Sequence, residues 1–335
     1  MSNMAKVNEQ VADALHIDSG VIEVSPHKSG VWGNILFEIE APKCHLLYKE
    51  FLPFTAVEIA YNPPNITPEK RLKTSVSMQN FARNNVHVIG VEIPKVIVEF
   101  PRSFLMDYIE EGLDLKYFLD NGLKIYNPKA LGEAIAEFHN SSVPKNDVIE
   151  TNELLLYKIG IQYCTDLIDG LTDQHRKIYK QLYSELLNFD DSFVPIHGDF
   201  NGKNILIDQS GMLGIIDFEH SGMGKCVYDL SYFVAEVVIA AIIRPEKISY
   251  RQYIEKFLVA YVKKSKQLES ELDSLWSHVA VQMLYRLTGP SAYAWTKYFS
   301  TENLDKINRI GVRMIGCNFV LSDISNELKI LIEEL

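Results

Sequence analysis

The residues best suited to chemistry in this chain fall in two short, neighbouring stretches. The first is His197-Gly-Asp-Phe-Asn-Gly-Lys-Asn204, and the second is Ile216-Asp-Phe-Glu219. Asp199 supplies a carboxylate that can accept a proton. Asn204 and Asp217 supply the hard oxygen ligands that Mg²⁺ prefers. The pattern therefore offers one candidate base and two candidate magnesium ligands.

The segment between the two stretches predicts a β-hairpin that would hold these groups together. Residues 204–208 and 212–216 are apolar runs, and Gln209-Ser-Gly211 between them supplies turn residues. Asn204 at the entry and Asp217 at the exit then project from the same end of the hairpin. Phosphoryl transfer from ATP needs an oriented hydroxyl, a proton acceptor and a divalent cation on the phosphate oxygens, and this arrangement suits it.

The two stretches also carry a family resemblance. HGDFNGKNIL at 197–206 and IIDFEHSG at 215–222 resemble the core signature of the aminoglycoside phosphotransferase and choline kinase superfamily, whose members are similar to protein kinases in fold. Residues 104–112 resemble the hinge between the lobes of that family, residues 131–139 its first large-lobe helix, and residues 228–230 its structural aspartate. The order of elements agrees from about residue 20 to residue 240.

The resemblance implies an α+β, protein-kinase-like fold with two lobes. A small antiparallel β-sheet lobe that binds nucleotide would span residues 1–108, and a larger, mostly helical lobe for catalysis and substrate binding would span residues 109–335. The hinge would lie at about residues 105–112.

The resemblance also implies roles for individual residues. Asp199 would be the catalytic base, and Asn204 and Asp217 would hold magnesium. His197 would brace the catalytic loop through hydrogen bonds, and Asp229 would be a buried acceptor that anchors the same loop.

Two positions depart from the protein kinase pattern. Protein kinases place a Lys two residues after the base and a Gly two residues after the metal-binding Asp, where this chain has Asn201 and Glu219. Small-molecule kinases of the superfamily tolerate both changes, and an IDFE sequence also occurs in the choline kinase branch. Glu219 is therefore a candidate for the substrate pocket, or alternatively a residue that tunes the metal site from behind its ligands.

The small lobe is predicted upstream as a strand at 21–24, a loop at 25–30 and a strand at 31–39. Gly30 and Gly33 would let backbone amides approach phosphate closely. The sequence contains no GxGxxG, so the alternative is that both glycines are ordinary turn residues.

Lys49 lies in a third predicted strand, Leu46-Leu-Tyr-Lys-Glu50, and matches the nucleotide-binding lysine of the family. A Lys in an apolar strand needs a partner or a polar cleft, and contact with the α- and β-phosphates would provide one. Its carboxylate partner is expected on the following helix, predicted over Pro68–Asn84. Glu69 is the candidate there, with a helix-dipole role as the alternative, and Glu58 is a second candidate.

Strands predicted at 96–99 and 104–108 complete the small-lobe sheet. The resemblance implies that backbone groups of Asp107 and Ile109 bind the adenine edge and that Met106 lies beside the base. Ordinary core packing is the alternative for Met106.

The large lobe is helical by pattern beyond Pro144, with predicted helices at 154–168 and 175–187. In the superfamily such an insert forms the acceptor pocket together with the C-terminal helices. A stripe at helical spacing predicts core, namely Leu272, Leu275, Trp276, Val279 and Met283. Tyr293, Trp295 and Tyr298 cannot share one helix face, so at least one of them is a candidate for contact with a quaternary ammonium, a sugar ring or an aminoglycoside.

Composition fits a two-lobed cytoplasmic enzyme. The chain has 335 residues, of which 47% are hydrophobic and 23% charged. Four cysteines, Cys44, Cys164, Cys226 and Cys317, are scattered without a CxxC, which disfavours a zinc site or a disulfide scaffold. The N-terminus lacks a targeting pattern, and the apolar run at 237–243 is too short to span a bilayer.

The charge balance bears on partners. A formal net charge of −11 disfavours nucleic acid as a partner and favours a cationic acceptor, with solubility alone as the alternative explanation.

These observations predict an O-phosphotransferase that uses ATP (or GTP) and Mg²⁺. Its acceptor would be a hydroxyl on a small molecule: an aminoglycoside or other antibiotic, an amino alcohol such as choline or ethanolamine, or a sugar. An inactive kinase-like nucleotide-binding module is the alternative of another class. A protein kinase is disfavoured, because there is no APE segment and the link between Asp217 and Asp229 is short. The sequence leaves the acceptor and the oligomeric state open.

Overall fold

The computed structural model describes residues 3–27, 33–54, 64–110, 112–142, 152–168, 170–188, 190, 192–244, 246, 248–289, 299–320, 322 and 324–333. Five residues considered above lie outside these ranges: Gly30, Glu58, Tyr293, Trp295 and Tyr298.

Most strands lie in the first part of the chain, and most helices lie in the last part. The strands are β1 Glu23–Pro26, β2 Asn34–Ala41, β3 Cys44–Phe51, β4 Val91–Glu92, β5 Val96–Glu99, β6 Ser103–Asp107, β7 Leu113–Asp114, β8 Val194–Ile196, β9 Ile205–Ile207, β10 Leu213–Ile215 and β11 Gly222–Gly224. The helices are α1 Asn3–Leu15, α2 Pro68–Asn85, α3 Leu115–Asp120, α4 Pro128–His139, α5 Glu153–Gln162, α6 Asp173–Leu187, α7 Cys226–Ile243, α8 Ile248–Lys264, α9 Leu275–Thr288, α10 Thr301–Met314 and α11 Ile324–Glu333.

The N-terminal part is built on a five-stranded antiparallel sheet with the order β1-β2-β3-β6-β5. Successive side chains of a strand point to opposite faces, so β6 serves two cores. Leu105 packs in the cluster that contains Val7 and Val11 of α1, whereas Phe104 and Met106 pack with Leu72 and Val76 of α2. Helix α1 therefore covers one face of the sheet and α2 the other.

Helix α2 begins and ends where its sequence favours a boundary. Thr67 is the N-cap residue, with its side chain accepting a hydrogen bond from the Lys70 amide, and Pro68 occupies the first turn. The helix reaches Asn85, one residue beyond the predicted end.

The C-terminal part is mostly helical around α7, whose residues are buried almost all round. Helix α7 is long and apolar enough to span a membrane by length and composition, but 89% of it is buried inside the protein. It is therefore the central helix of a protein core. The predicted core stripe at 272–283 is confirmed, since all five of its side chains are at most 2% exposed.

The predicted hairpin is confirmed as the antiparallel pair β9 and β10, with Ile205 opposite Ile215 and Ile207 opposite Leu213. It lies in a four-stranded sheet of order β4-β10-β9-β7, and β8 pairs with β11 beside it. The chain leaves the small sheet at Asp107 and enters this second sheet at Leu113. The division of the chain at about residue 108 stays a prediction.

In two predicted elements a 3-10 turn takes the place of one predicted end. The first strand starts at Glu23 rather than Val21, because Ser19–Val21 forms a 3-10 turn in which the Asp18 side chain accepts from the Gly20 amide. Helix α5 ends at Gln162 instead of Ile168, since the chain makes another 3-10 turn at Thr165–Leu167 that brings Ile168 into the core.

Candidate active site

The backbone of the loop after β8 is held by Asp229, a fully buried residue in the first turn of α7. Its Oδ2 accepts from the His197 amide at 2.6 Å and its Oδ1 accepts from the Gly198 amide at 2.9 Å. The Oδ2 atom also lies 3.1 Å from Nε2 of His139. Hydrogen bonds to a carboxylate are among the stronger ones in proteins. Asp229 of α7 therefore holds the loop, and His139 of α4 holds Asp229.

Gly198 lets the loop turn close to the segment Asp217–Ser221, which carries the candidate magnesium ligand Asp217 and is called the metal segment below. Its φ is +72°, and a Cβ at this position would lie 2.2 Å from the carbonyl oxygen of His220. No other residue type fits without moving the backbone. The loop and the segment after Asp217 are therefore in direct contact.

The His197 ring links the same two segments. Its Nδ1 accepts from the Asp199 amide at 3.2 Å, which leaves Nε2 to carry the proton and donate to the Ile216 carbonyl at 2.9 Å. Burial lowers the pKa of His197 and outweighs the neighbouring Asp229, so the ring is neutral in this role. The structure thus places His197 as a bridge between the loop and the end of the hairpin.

Asp199 points into a set of donors. Its Oδ1 accepts from Nδ2 of Asn201 at 2.8 Å and from the Lys158 ammonium, and its Oδ2 accepts from Nδ2 of Asn204 at 2.8 Å. Burial by itself would raise the pKa of Asp199, but Lys158, aided by other nearby groups, holds that pKa well below its usual value. The side chain is therefore a carboxylate at neutral pH.

Lys158 is a residue that the sequence analysis missed. It lies on α5, the first helix of the insert, and its Nζ also donates to the Gly198 carbonyl at 2.9 Å. The sequence signal for Lys158 is that it is the one cation in an otherwise mostly apolar helix, Glu-Leu-Leu-Leu-Tyr-Lys-Ile-Gly-Ile-Gln.

Asn204 and Asp217 lie at the two ends of the hairpin, as predicted. The Ile216 amide donates to the Asn204 carbonyl at 3.0 Å, which keeps the two ends adjacent. Asn204 uses Nδ2 to contact Asp199, and that contact does not involve Oδ1, the atom that can bind a cation. Asp217 has a left-handed backbone with φ 68°, a strained conformation that is concentrated at functional sites.

The Asp217 carboxylate already holds a cation. Its Oδ1 accepts from Nζ of Lys49 at 2.6 Å, and the Lys49 side chain is only 6% exposed. The site therefore accepts positive charge, and its carboxylate and amide oxygens are the donor types that Mg²⁺ prefers. Asn204 and Asp217 fit the predicted magnesium ligands.

The prediction that Glu69 pairs with Lys49 is wrong in this structure. Oε1 of Glu69 accepts instead from Nε of Arg102 at 2.5 Å, and both side chains are about half exposed. Glu69 occupies the first turn of α2, and its side chain is exposed.

Helix α2 instead faces the large lobe with a cation. Nη2 of Arg71 donates to Oε2 of Glu219 at 2.9 Å, with 1% and 6% of the two side chains exposed. Arg71 also donates to Oδ1 of Asn34 at 2.9 Å and to the Leu52 carbonyl at 3.0 Å. This side chain joins the start of β2 and the end of β3 to the metal segment.

The contact with Arg71 corrects the assignment of Glu219 to a substrate pocket. The Glu219 carboxylate is buried against the small lobe, and Asn34 approaches it as well, with Nδ2 3.5 Å from Oε2. Arg71 was missed, although it lies on the buried face of α2 that also includes Leu72 and Gln79.

The other predicted nucleotide residues are arranged around this cleft. The Gly33 carbonyl accepts from the Leu52 amide at 2.7 Å and so anchors the end of the loop before β2. Met106 is 5% exposed and packs in the α2 core, where Nε2 of Gln79 lies 3.4 Å from its sulfur. The Asp107 amide donates to the Lys95 carbonyl at 3.0 Å, and Oδ2 of Asp107 accepts from the Lys95 amide at 3.1 Å. Contacts of Gly33, Met106, Asp107 and Ile109 with nucleotide stay predictions.

The four cysteines are free. Among the described residues no group of three His, Cys, Asp or Glu side chains is placed to hold a metal by itself. The candidate magnesium site thus depends on one carboxylate, one amide and whatever oxygens a ligand brings.

Comparisons with known proteins agree with this geometry. Residues 126–259 match the model of the APH phosphotransferase enzyme family. No curated protein sequence matches significantly. The fold is similar to that of a choline kinase from Cryptosporidium parvum Iowa II, with 14% identity, a TM-score of 0.58 and coverage of 97% of this chain and 98% of that chain.

Two further solved structures extend the likeness. A choline/ethanolamine kinase family protein from Mesorhizobium loti has 15% identity and a TM-score of 0.55, with 97% of this chain and 99% of that chain covered. A microcompartment-associated aminopropanol kinase has 14% identity and a TM-score of 0.53, with 97% and 98% covered. At such identities the likeness shows the fold. The predicted family resemblance and the predicted fold class are confirmed.

Proposed function

We propose that the chain moves the γ-phosphate of ATP to a hydroxyl of a small molecule. The family match and the architecture support a small-molecule kinase with a protein-kinase-like fold. The observation that carries the proposal is the placement of Asp199. Its carboxylate is kept ionised beside Asn204, at the mouth of the hairpin that ends in Asp217.

Asp199 is the base in this proposal. A hydroxyl that donates to its carboxylate is oriented by the same contact that later accepts the proton. The hydroxyl oxygen forms a bond to the γ-phosphorus, the bond from that phosphorus to the bridging oxygen breaks with its electron pair left on ADP, and the hydroxyl proton passes to Asp199.

Asn204 and Asp217 would hold Mg²⁺, which when bound neutralises charge on the phosphate oxygens. Lys49 lies on the neighbouring strand β3 and contacts Asp217. It would pair with the α- and β-phosphates once a divalent cation takes over the Asp217 carboxylate. Arg71 and Glu219 hold the small lobe against this segment, so the two halves of the site keep one geometry.

An amino alcohol is the acceptor class that we favour. The solved structures described above are choline, choline/ethanolamine and aminopropanol kinases. A formal net charge of −11 also favours a cationic acceptor over an anionic one. Sugars, aminoglycosides and other antibiotics are the next candidates, and an inactive nucleotide-binding module is the alternative of another class.

The test is a transfer assay with γ-labelled ATP and Mg²⁺ against separate pools of amino alcohols, sugars, aminoglycosides, macrolides and homoserine, with products identified by mass. We expect a phosphorylated product from the amino alcohol pool. Repeating the assay with GTP measures nucleotide preference. Stabilisation of the protein by Mg–ATP without product from any pool would favour the inactive module.

Two variants separate the roles of the site. Asp199→Ala should abolish transfer and leave ATP binding largely intact, and Asp217→Ala should lose magnesium-dependent nucleotide binding. Full activity of Asp199→Ala would remove the base assignment.

A further inference from the structure

The catalytic loop lacks a cation where protein kinases have one. The position two residues after Asp199 is Asn201, whose amide donates to Oδ1 of Asp199 at 2.8 Å and whose own oxygen accepts from the Lys203 amide. Lys203 itself is exposed. A neutral amide can orient the base but adds no positive charge for the phosphoryl group that approaches it.

Lys158 brings a cation to the same place from another element. Its ammonium contacts Oδ1 of Asp199, lies 2.9 Å from the Gly198 carbonyl and sits 4.4 Å from the centre of the Tyr232 ring. Only 14% of the Lys158 side chain is exposed. The ammonium is thus confined between a carboxylate, a carbonyl and an aromatic face.

The helix that carries Lys158 is fixed to the metal segment. Asn152, the N-cap residue of α5, accepts from the Leu154 amide through Oδ1 and donates through Nδ2 to the carbonyls of Glu219 at 3.1 Å and Ser221 at 2.8 Å. Leu155 and Ile159 bury the other side of α5 in the core. The position of Lys158 is therefore set by the same segment that carries Asp217.

An ammonium has three donors, and the contacts with Asp199 and Gly198 use two of them. A hydroxyl bound to Asp199 would be about 3–3.5 Å from the phosphorus it attacks. The oxygens of the γ-phosphoryl group would then lie next to the Lys158 ammonium, which contacts the Asp199 carboxylate. The third donor of Lys158 is available for one of them.

We propose that Lys158 is a catalytic residue of the insert helix that contacts a γ-phosphoryl oxygen during transfer and so supplies the cation missing at Asn201. The inference rests on the proposed function. The developing charge is carried by the transferred phosphoryl oxygens while the new oxygen–phosphorus bond forms and the bond to ADP breaks. Lys158 stabilises that charge and takes no part in bond making itself.

The test uses the full chain and the variant Lys158→Met. Because loss of one donor aimed at developing charge costs about 10²–10³-fold in rate, we expect kcat to fall by about that factor while the KM for ATP changes little. Lys158→Arg, which keeps the charge, should recover part of the loss. If Lys158 were only a structural tether, Lys158→Arg would not restore kcat while the KM for ATP stayed the same.

Binding gives a readout that does not depend on turnover. Titration calorimetry would compare Mg–ADP with Mg–ADP plus aluminium fluoride, an analogue of the transferred phosphoryl group. The wild-type chain should bind the fluoride complex more tightly, and Lys158→Met should lose most of that gain while binding Mg–ADP normally. Normal Mg–ADP binding also shows that the variant is folded.

Lys70→Met is the matched control. Lys70 pairs with Glu153, the first residue of α5, at 2.6 Å, and about half of each side chain is exposed. This variant removes a lysine charge from α2 that contacts the start of α5 away from Asp199, so kcat and fluoride binding should stay near wild type. A Lys158→Met chain that keeps the fluoride gain overturns the role of Lys158 alone. A wild-type chain with no gain overturns the proposed function together with it.

Discussion

The two halves of the candidate site are held in different ways. The catalytic loop is braced mainly by buried hydrogen bonds to backbone amides, with Asp229 accepting from residues 31 and 32 positions earlier in the chain. The small lobe meets the site through ion pairs between residues far apart in sequence. Arg71 and Glu219 are separated by 148 positions, and Lys49 and Asp217 by 168.

The two kinds of contact correspond to different needs for rigidity. The proposed base and the proposed magnesium ligands must keep fixed positions relative to one another, and hydrogen bonds to the backbone within one lobe can hold them there. The Lys49 contact joins a lysine and an aspartate that nucleotide and Mg²⁺ are proposed to separate. The Arg71 contact is buried and lies beside it, so we expect it to persist when nucleotide binds.

The largest expected effect breaks the contact between lobes. Arg71→Met leaves Glu219 buried without its cation, and the loss of one partner of a buried pair destabilises a protein by about 3–5 kcal/mol. Urea unfolding followed by circular dichroism measures the change. Arg71→Met combined with Glu219→Met should be less destabilised than Arg71→Met, because no buried charge is left.

Arg102→Met is the control for that variant, since Arg102 forms an exposed pair with Glu69 from the same helix α2. Exposed pairs contribute about 0–1 kcal/mol. Equal destabilisation by Arg71→Met and Arg102→Met would show that the buried pair does not hold the lobes together.

The next effect concerns the bracing of the catalytic loop. Asp229→Asn turns one of two accepting oxygens into an amide that cannot accept from the backbone, so a buried donor loses its partner, at a cost of about 1–3 kcal/mol. The kcat should fall more than the affinity for ATP, because the loop carries Asp199. Unfolding and steady-state rates measure the two quantities.

Asp208→Asn is the matched control for the loop. Asp208 also accepts from a backbone amide, that of Met212 at 2.8 Å, but in the exposed hairpin turn. Such surface changes stay within about 0.5 kcal/mol. If Asp229→Asn is as mild as Asp208→Asn, local bracing does not explain the geometry of the loop.

The third effect is a pH dependence of stability that arises from three histidines whose pKa is lowered by burial. Burial lowers the pKa of His220 to about 3, with nearby Lys158 acting in the same direction, and burial also lowers the pKa of His197 and His278. Below the ordinary value of about 6.5 the unfolded chain binds protons that the folded chain does not. Stability should therefore fall with falling pH, by up to about 1.4 kcal/mol per pH unit for each such histidine.

Denaturant unfolding between pH 6.5 and pH 5 measures this slope in a window above the ordinary range of the carboxylates. His220→Gln should reduce the slope by up to about 1.4 kcal/mol per pH unit. An unchanged slope in that variant would show that His220 is protonated in the folded chain.

The half of the site that could be predicted is the half with local determinants. Asp199, Asn204 and Asp217 lie within one loop and hairpin, so their spacing alone places them together, and the resemblance adds Asp229. The hairpin follows from two apolar runs joined by a turn that contains Gly211, both of which are visible in the sequence.

The remainder depends on pairings across long separations. Lys158 lies 41 positions before Asp199, on an insert whose docking the sequence does not specify. Glu69 is the acid of the predicted helix, but its side chain is exposed, and Arg71, two residues later and so on the opposite side of α2, is buried. A lone cation on an apolar helix face is the sequence signal that both Arg71 and Lys158 share.

The two bonds from the Asn152 side chain to the Glu219 and Ser221 carbonyls have a practical consequence for anyone who recombines such proteins. A chimera that imports a foreign segment for residues 152–162 would also remove the hydrogen bonds that Asn152 donates to the segment after Asp217. Grafts that preserve this single asparagine should retain turnover more often than grafts that discard it.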